Sequence, residues 1–173
     1  MIKGAILDRE EEKKARNLIM RELKILRLCR STSVVSFFGA FLHDQDIYIM
    51  MEYMDLGSLE TIYKATGPIP EPIVGVIGLR VLQGLKYLYL NHKIVHRDIK
   101  PSNILMSSTG DVKIADFGVS KQLTDNTQAM TFTGTQAYLA PERIRQGSNC
   151  SPVADVWGVG LTLIEIATGY LHL

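Results

Sequence analysis

Residues 96 to 118 constrain this chain more than any others. They read His96-Arg97-Asp98-Ile99-Lys100-Pro101-Ser102-Asn103 and, after a short interval, Asp116-Phe117-Gly118. An Asp followed five positions later by an Asn, and then by an Asp-Phe-Gly triplet, supplies what phosphoryl transfer from a metal-bound nucleotide requires. Asp98 is the candidate carboxylate for the incoming hydroxyl. The Asn103 amide oxygen and the Asp116 carboxylate are the candidate ligands of the magnesium that neutralises the phosphates. Lys100 adds a cation on the same loop, where negative charge gathers on the transferred group. Either tripeptide alone is a common loop sequence. Their order, with the Asn at its offset, sets them apart from accidental loops.

This stretch resembles the catalytic and magnesium-binding loops of eukaryotic protein kinases, and Lys100-Pro101 resembles the serine/threonine branch. The resemblance implies an α+β, bilobal fold that uses ATP and Mg2+. Residues 1–52 would form the small lobe, 53–57 the hinge and 58–173 the large lobe. No Gly-x-Gly-x-x-Gly precedes Lys3, and the sequence stops soon after Gly169. The expectation is therefore a domain truncated at both ends, lacking the first two small-lobe strands and the last large-lobe helices, and inactive by itself.

Composition sets outer limits. The 173 residues suffice for one domain with a core. They are 46% hydrophobic and 21% charged, with net charge +1. That balance gives no electrostatic argument for nucleic acid or an acidic membrane surface. Cys29 and Cys150 lie far apart without Cys-x-x-Cys spacing, so neither a zinc site nor a disulfide framework is indicated. Both are expected to be reduced thiols in a cytoplasmic protein, with the nucleus as a second compartment. No apolar run of membrane-spanning length is expected, because the longest candidate is cut by Asp155 and Glu165. Asp8 to Lys14 is almost all charged, which is no signal-peptide pattern.

Met1 to Leu7 reads as the end of a strand carrying Lys3. Asp8 to Arg30 has helical periodicity, with Leu18, Ile19, Leu23, Leu26 and Leu28 as its apolar stripe. Glu22 falls within that stripe and needs a partner if buried. The resemblance supplies one: Lys3 would grip the α- and β-phosphates and pair with Glu22 on a mobile helix. Val34–Phe41 and Ile47–Glu52 read as strands around a turn at residues 43–46. By resemblance, Tyr53 to Ser58 follows as the hinge. The backbone of Glu52 and Met54 would meet the adenine edge, Met51 would guard the pocket behind it, and Leu105 would lie under the ring. Ser58 and Ser102 join the nucleotide-binding set.

Pro68 to Pro72 marks an entry to a helix over 73–90, with Ile73, Ile77, Val81, Leu85 and Leu88 on one side. Its glycines at 75, 78 and 84 are tolerable where neighbours pack close. Asn103–Met106 and Val112–Ile114 read as strand, turn, strand. Ser151 to Thr168 reads as a helix with apolar residues such as Val153, Val156 and Trp157 on several faces, expected to leave an exposed apolar patch in this chain. The kinase resemblance makes it the buried central helix, with Asp155, Trp157 and Gly160 in a recognisable pattern and Asp155 anchoring the catalytic-loop backbone. His96 would pack under Phe117 and leave Asp98 as the base.

The segment from Asp116 to Glu142 is polar and closes on Tyr138-Leu139-Ala140-Pro141-Glu142-Arg143-Ile144. With Lys-Pro-Ser-Asn-Ile-Leu at 100–105, it resembles the mitogen-activated protein kinase kinases. Thr127 and Thr131 fall where that family carries paired phosphorylation sites. The resemblance implies a downstream MAP kinase substrate phosphorylated on Thr and Tyr, an upstream MAP kinase kinase kinase, and a scaffold protein as a further partner. Nucleic acid and membrane insertion are not expected. Two alternatives stand beside it: a kinase-like binding or scaffold protein, and a kinase of the neighbouring sterile-20 class. Leu139, where that class usually has Trp, argues against the second.

Overall fold

The computed structural model describes residues 23, 27–43, 46–116, 137–146 and 151–171. Strands β1 (Phe37–His43) and β2 (Asp46–Met51) come first. Strand β3 (Gly57–Ser58), helix α1 (Leu59–Thr66) and helix α2 (Glu71–His92) follow. A 3-10 turn (Pro101–Asn103) leads into β4 (Ile104–Met106) and β5 (Val112–Ile114), and then come α3 (Pro141–Gln146) and α4 (Pro152–Thr168). β1 pairs antiparallel with β2, and β3–β4–β5 form a second antiparallel sheet. The class is α+β, as expected.

The first hairpin pairs further into its turn than its polar residues suggest. His43 faces Asp46 in the ladder, and Phe41 faces Tyr48 with the rings stacked at 5.2 Å. That aromatic pair favours this register over a slipped one. Val34, expected in the first strand, bridges Ile114 instead. The Val35 N–H donates to the Ile114 carbonyl at 2.9 Å, and the Ile114 N–H to the Ser33 carbonyl at 3.0 Å. Residues 33–35 thus run beside β5 and tie the hairpin to the second sheet.

Helix α1 has its own start and stop. The Ser58 hydroxyl accepts from the Thr61 N–H at 3.1 Å, and Gly67 ends the helix at φ 85°. Helix α2 buries Val74, Ile77, Val81, Leu85 and Leu88. Ile73, expected on that face, is exposed, because Val74 lies nearer the line of the other four. A Cβ on Gly84 would lie 2.7 Å from the Ser33 carbonyl oxygen, and one on Gly78 would lie 2.9 Å from Leu163. Close packing accounts for these two glycines. Gly75 has nothing within 4 Å and gains nothing from packing.

By composition α2 is long and apolar enough to cross a bilayer, contrary to the expectation that no run approached that length; an 18-residue window has mean hydropathy 1.4. One face of it is buried in the core, while Ile73, Val76, Leu79, Leu82 and Leu90 are exposed. Ile77 and Val81 join Leu59, Ile99, Ile104, Ile114 and Ile166 in the main cluster.

Ser151 caps α4 through the Val153 N–H, and Gly169 closes it at φ 84°. The close approach to the catalytic loop falls at Gly158, whose Cβ would sit 3.1 Å from Ile99, while Gly160 meets open space. Trp157 is 44% exposed, and Val153 and Val156 are exposed with it, as the apolar patch expected on this helix requires. Of the helix expected over Asp8 to Arg30, residues 23 and 27–30 are described: Leu23, Arg27 and Leu28 are helical, and Cys29 and Arg30 lie past the helix end. Leu23 is buried, whereas Leu28 is exposed. Cys29 is a buried free thiol whose pKa burial raises. Cys150 lies outside the described residues.

Candidate active site

The loop 96–103 hangs on a carboxylate from another element. Asp155, buried in the first turn of α4, accepts the His96 N–H at Oδ2 and the Arg97 N–H at Oδ1, each at 2.7 Å. The two bonds hold Arg97 at φ 71°, a left-handed conformation costly for a side chain with a Cβ. His96 is buried, with Nε2 3.0 Å from the Ala115 carbonyl and Nδ1 3.3 Å from the Asp98 N–H. It is spent on structure. Phe117, its expected partner, lies outside the described residues.

Beyond His96 the loop gathers the polar groups. Lys100 Nζ lies 3.1 Å from Asp98 Oδ2. Asn103 Nδ2 donates to the Asp98 carbonyl at 2.8 Å and to Asp98 Oδ2 at 3.1 Å. The Asn103 N–H donates to the Lys100 carbonyl, and its carbonyl accepts the Ala115 N–H at 2.9 Å. Asp116 thus follows directly from a residue bonded to Asn103. It is exposed and sits at φ 58°. With its amide nitrogen committed to Asp98, Asn103 has Oδ1 left as an acceptor. An amide oxygen and an exposed carboxylate form a hard oxygen donor set, which fits Mg2+.

The nucleotide residues read from sequence meet in part. Val35, Met54 and Ala115 form a small buried cluster, with Leu105 packed on it. Met54 and Leu105 therefore come together. Met51 is 47% exposed at the end of β2. The Glu52 side chain does not join them: it pairs with Lys113 on β5 and accepts the Ser36 N–H at 3.1 Å. Burial works against its charge, but the Lys113 ammonium and the Ser36 donor outweigh it and hold Glu52 below the usual carboxylate range. Ser58 is engaged as the α1 cap. Ser102 is half-buried in the 3-10 turn beside Asn103. Lys3, Glu22, Thr127 and Thr131 lie outside the described residues.

A pocket beside Asp98 is lined by Arg97, Tyr138, Leu139, Arg143 and Asp155 among others. Arg143 on α3 donates to the Arg97 carbonyl at 3.1 Å, so the end of the Tyr138-to-Ile144 segment touches the catalytic loop. Sequence reading passed over Tyr63, Lys113, Arg143 and Glu165, as well as helix α1 itself. Ser58 and Gly67 at cap spacing signalled α1; Arg143 lies inside the closing run at 138–144, whereas Tyr63, Lys113 and Glu165 lie outside the motifs and carry no local signal.

A model of the protein kinase domain matches residues 2–173, and the chain belongs to that family. It is 54% identical over 151 residues to the dual specificity mitogen-activated protein kinase kinase dSOR1 of Drosophila melanogaster. The match covers 87% of this chain and 38% of that protein, so the chain spans well under half the length of that relative.

Proposed function

We propose that this chain is the central part of a MAP kinase kinase, which transfers the γ-phosphate of ATP to Thr and Tyr in the activation loop of a MAP kinase. The observation that carries the reading is the Asp98 carboxylate, held by Asn103 and Lys100 on a loop pinned by Asp155. In the reaction, Asp98 accepts the proton of the acceptor hydroxyl, whose oxygen bonds to the γ-phosphorus as the bond to the ADP oxygen breaks. Lys100 faces the charge that builds on the transferred group. Asn103 Oδ1 and the Asp116 carboxylate would hold Mg2+, which would supply charge neutralisation at the phosphates. The apolar cluster of Val35, Met54, Leu105 and Ala115 takes the adenine ring. Lys3 holds the α- and β-phosphates and Glu22 holds Lys3; Met51, Glu52, Ser58 and Ser102 complete the nucleotide site.

In the full-length protein, Asp98→Asn should lower transfer by at least about 10²-fold, the usual span of a lost general base, with ATP affinity largely kept. Asp116→Asn should weaken magnesium-dependent ATP binding as well. Near-normal transfer by Asp98→Asn would remove the base from Asp98. Thr127 and Thr131 take the activating phosphates from an upstream MAP kinase kinase kinase, with Arg97 beside Asp98 as the cation that receives them. Mass spectrometry of the activated protein checks this. Activation of a Thr127→Ala/Thr131→Ala double variant would sink it. Residues 1–173 alone are proposed to transfer little phosphate.

A further inference from the structure

Glu165 lies in the last turns of α4 and is 6% exposed, where a carboxylate without partners would be costly. Its two oxygens are met by phenols from distant parts of the chain. Tyr63 on α1 donates to Oε1 at 2.6 Å, and Tyr138 donates to Oε2. Burial, and then the Glu165 charge, push both phenols above the ordinary tyrosine range, so both hold their protons at neutral pH. Tyr138 also lines the pocket that contains Asp98. A continuous path therefore runs from α1, through one buried carboxylate, to the wall of that pocket.

We propose that Tyr63 is a positioning residue for the protein acceptor, fixing Tyr138 through Glu165 and so shaping the pocket at Asp98. The inference rests on the phosphotransfer reading above and names a residue that reading does not use. It points to the acceptor rather than to ATP because the apolar cluster of Val35, Met54, Leu105 and Ala115 contains none of the three residues. It isolates one hydroxyl: the Tyr63 ring packs in the main core with Leu59, Ile69 and Ile166, and Tyr63→Phe keeps that ring while deleting the donor.

The test uses the full-length protein, with ATP and a MAP kinase whose activation loop is the acceptor. Tyr63→Phe should raise the acceptor KM about tenfold, the scale of one lost hydrogen bond to a buried charge, and leave the KM for ATP within about twofold. In a Tyr138→Phe background the same change should add less than about twofold, because the path is already cut. Amide hydrogen exchange, read without turnover, should speed up at residues 137–140 in Tyr63→Phe. An unchanged acceptor KM, additive effects of the two Phe variants, or unchanged exchange at 137–140 would each overturn the proposal. A wild-type protein that transfers no phosphate would refute the parent reading, and the acceptor role with it. That outcome is visible before any variant is made, and exchange then still reports whether the path from Tyr63 exists.

Discussion

Helix α4 carries a buried carboxylate near each end, and the two work on different materials. Asp155 near the start accepts two backbone N–H groups of the catalytic loop. Glu165 near the end accepts two side-chain hydroxyls, from α1 and from the segment before α3. A carboxylate bound to main chain sets the path of a loop whatever side chains that loop carries. One bound to phenols sets the relation between elements, and a single atom can undo it. The first fixes the backbone of loop 96–103; the second joins α1 to the segment that carries Tyr138.

Deleting the first anchor should have the larger effect. Asp155→Ala leaves the N–H groups of His96 and Arg97 buried without acceptors and releases Arg97 from its left-handed conformation. A loss of about 3–5 kcal/mol in unfolding free energy is expected, from two missing hydrogen bonds to a charge. Transfer should fall with it. Denaturant melts give the first quantity; a loss below about 1 kcal/mol would mean that neighbours hold the loop without Asp155. Glu165→Gln is the matched change at the other end. The amide keeps the shape but offers one acceptor oxygen where the carboxylate offered two, so one phenol loses the charged acceptor of its proton and can only accept from the amide N–H. About 1–3 kcal/mol should be lost, read the same way. Equal losses at the two positions would erase the distinction between them.

The two anchors also differ in how far sequence exposes them. Asp155 sits in a pattern with Trp157 beside a motif-bearing loop, and its partners follow from the motif because they are main-chain groups. The loop, β4, β5 and the α4 boundaries were legible for similar reasons: a fixed offset from Asp98 to Asn103, the turn at Gly110, and caps at Ser151 and Gly169. Glu165 looked like a charge that interrupts an apolar run, since nothing near it in sequence names Tyr63 or Tyr138. Lys113 was silent for the same reason, being joined to Glu52 across 61 positions. Trp157 was readable too: on a helix apolar on several faces it was expected open with Val153 and Val156, and all three are exposed. Contacts made by main chain or within a few residues can be read from a line of letters. Side-chain contacts across elements need the fold.

Alkaline pH separates the anchors without mutation. The folded pKa of Tyr63 and Tyr138 lies above the ordinary value of 10.0, so the stability they add is complete below pH 10.0 and is lost as pH rises above it. The Glu165 end should loosen in that range, and the backbone N–H partners of Asp155 do not titrate there. Wild type should therefore lose stability above pH 10.0 faster than a Tyr63→Phe/Tyr138→Phe variant. Parallel pH–stability curves for the two proteins would contradict the shared buried carboxylate.

The smallest effect should come from a third carboxylate that resembles neither anchor. Glu52 combines both materials, a backbone donor at Ser36 and the Lys113 ammonium, at the junction of β2 with the segment leading to Met54. It is also more open to water than Asp155 or Glu165, so solvent competes for its partners. Lys113→Met keeps the aliphatic stem on β5 and removes only the charge, and about 1 kcal/mol or less should be lost. The pH dependence is more telling than the magnitude. The Glu52 pKa lies below its ordinary 4.5 in the folded chain, so its contribution is complete above pH 4.5 and disappears as pH falls below that value. In Lys113→Met the Ser36 N–H remains as the main donor, and the acid loss should shrink without vanishing. Wild type and variant would then converge in stability as the pH drops below 4.5. If they instead stay separated by a constant amount down to acid unfolding, Lys113 acts through packing, and the tie between β2 and β5 is not electrostatic.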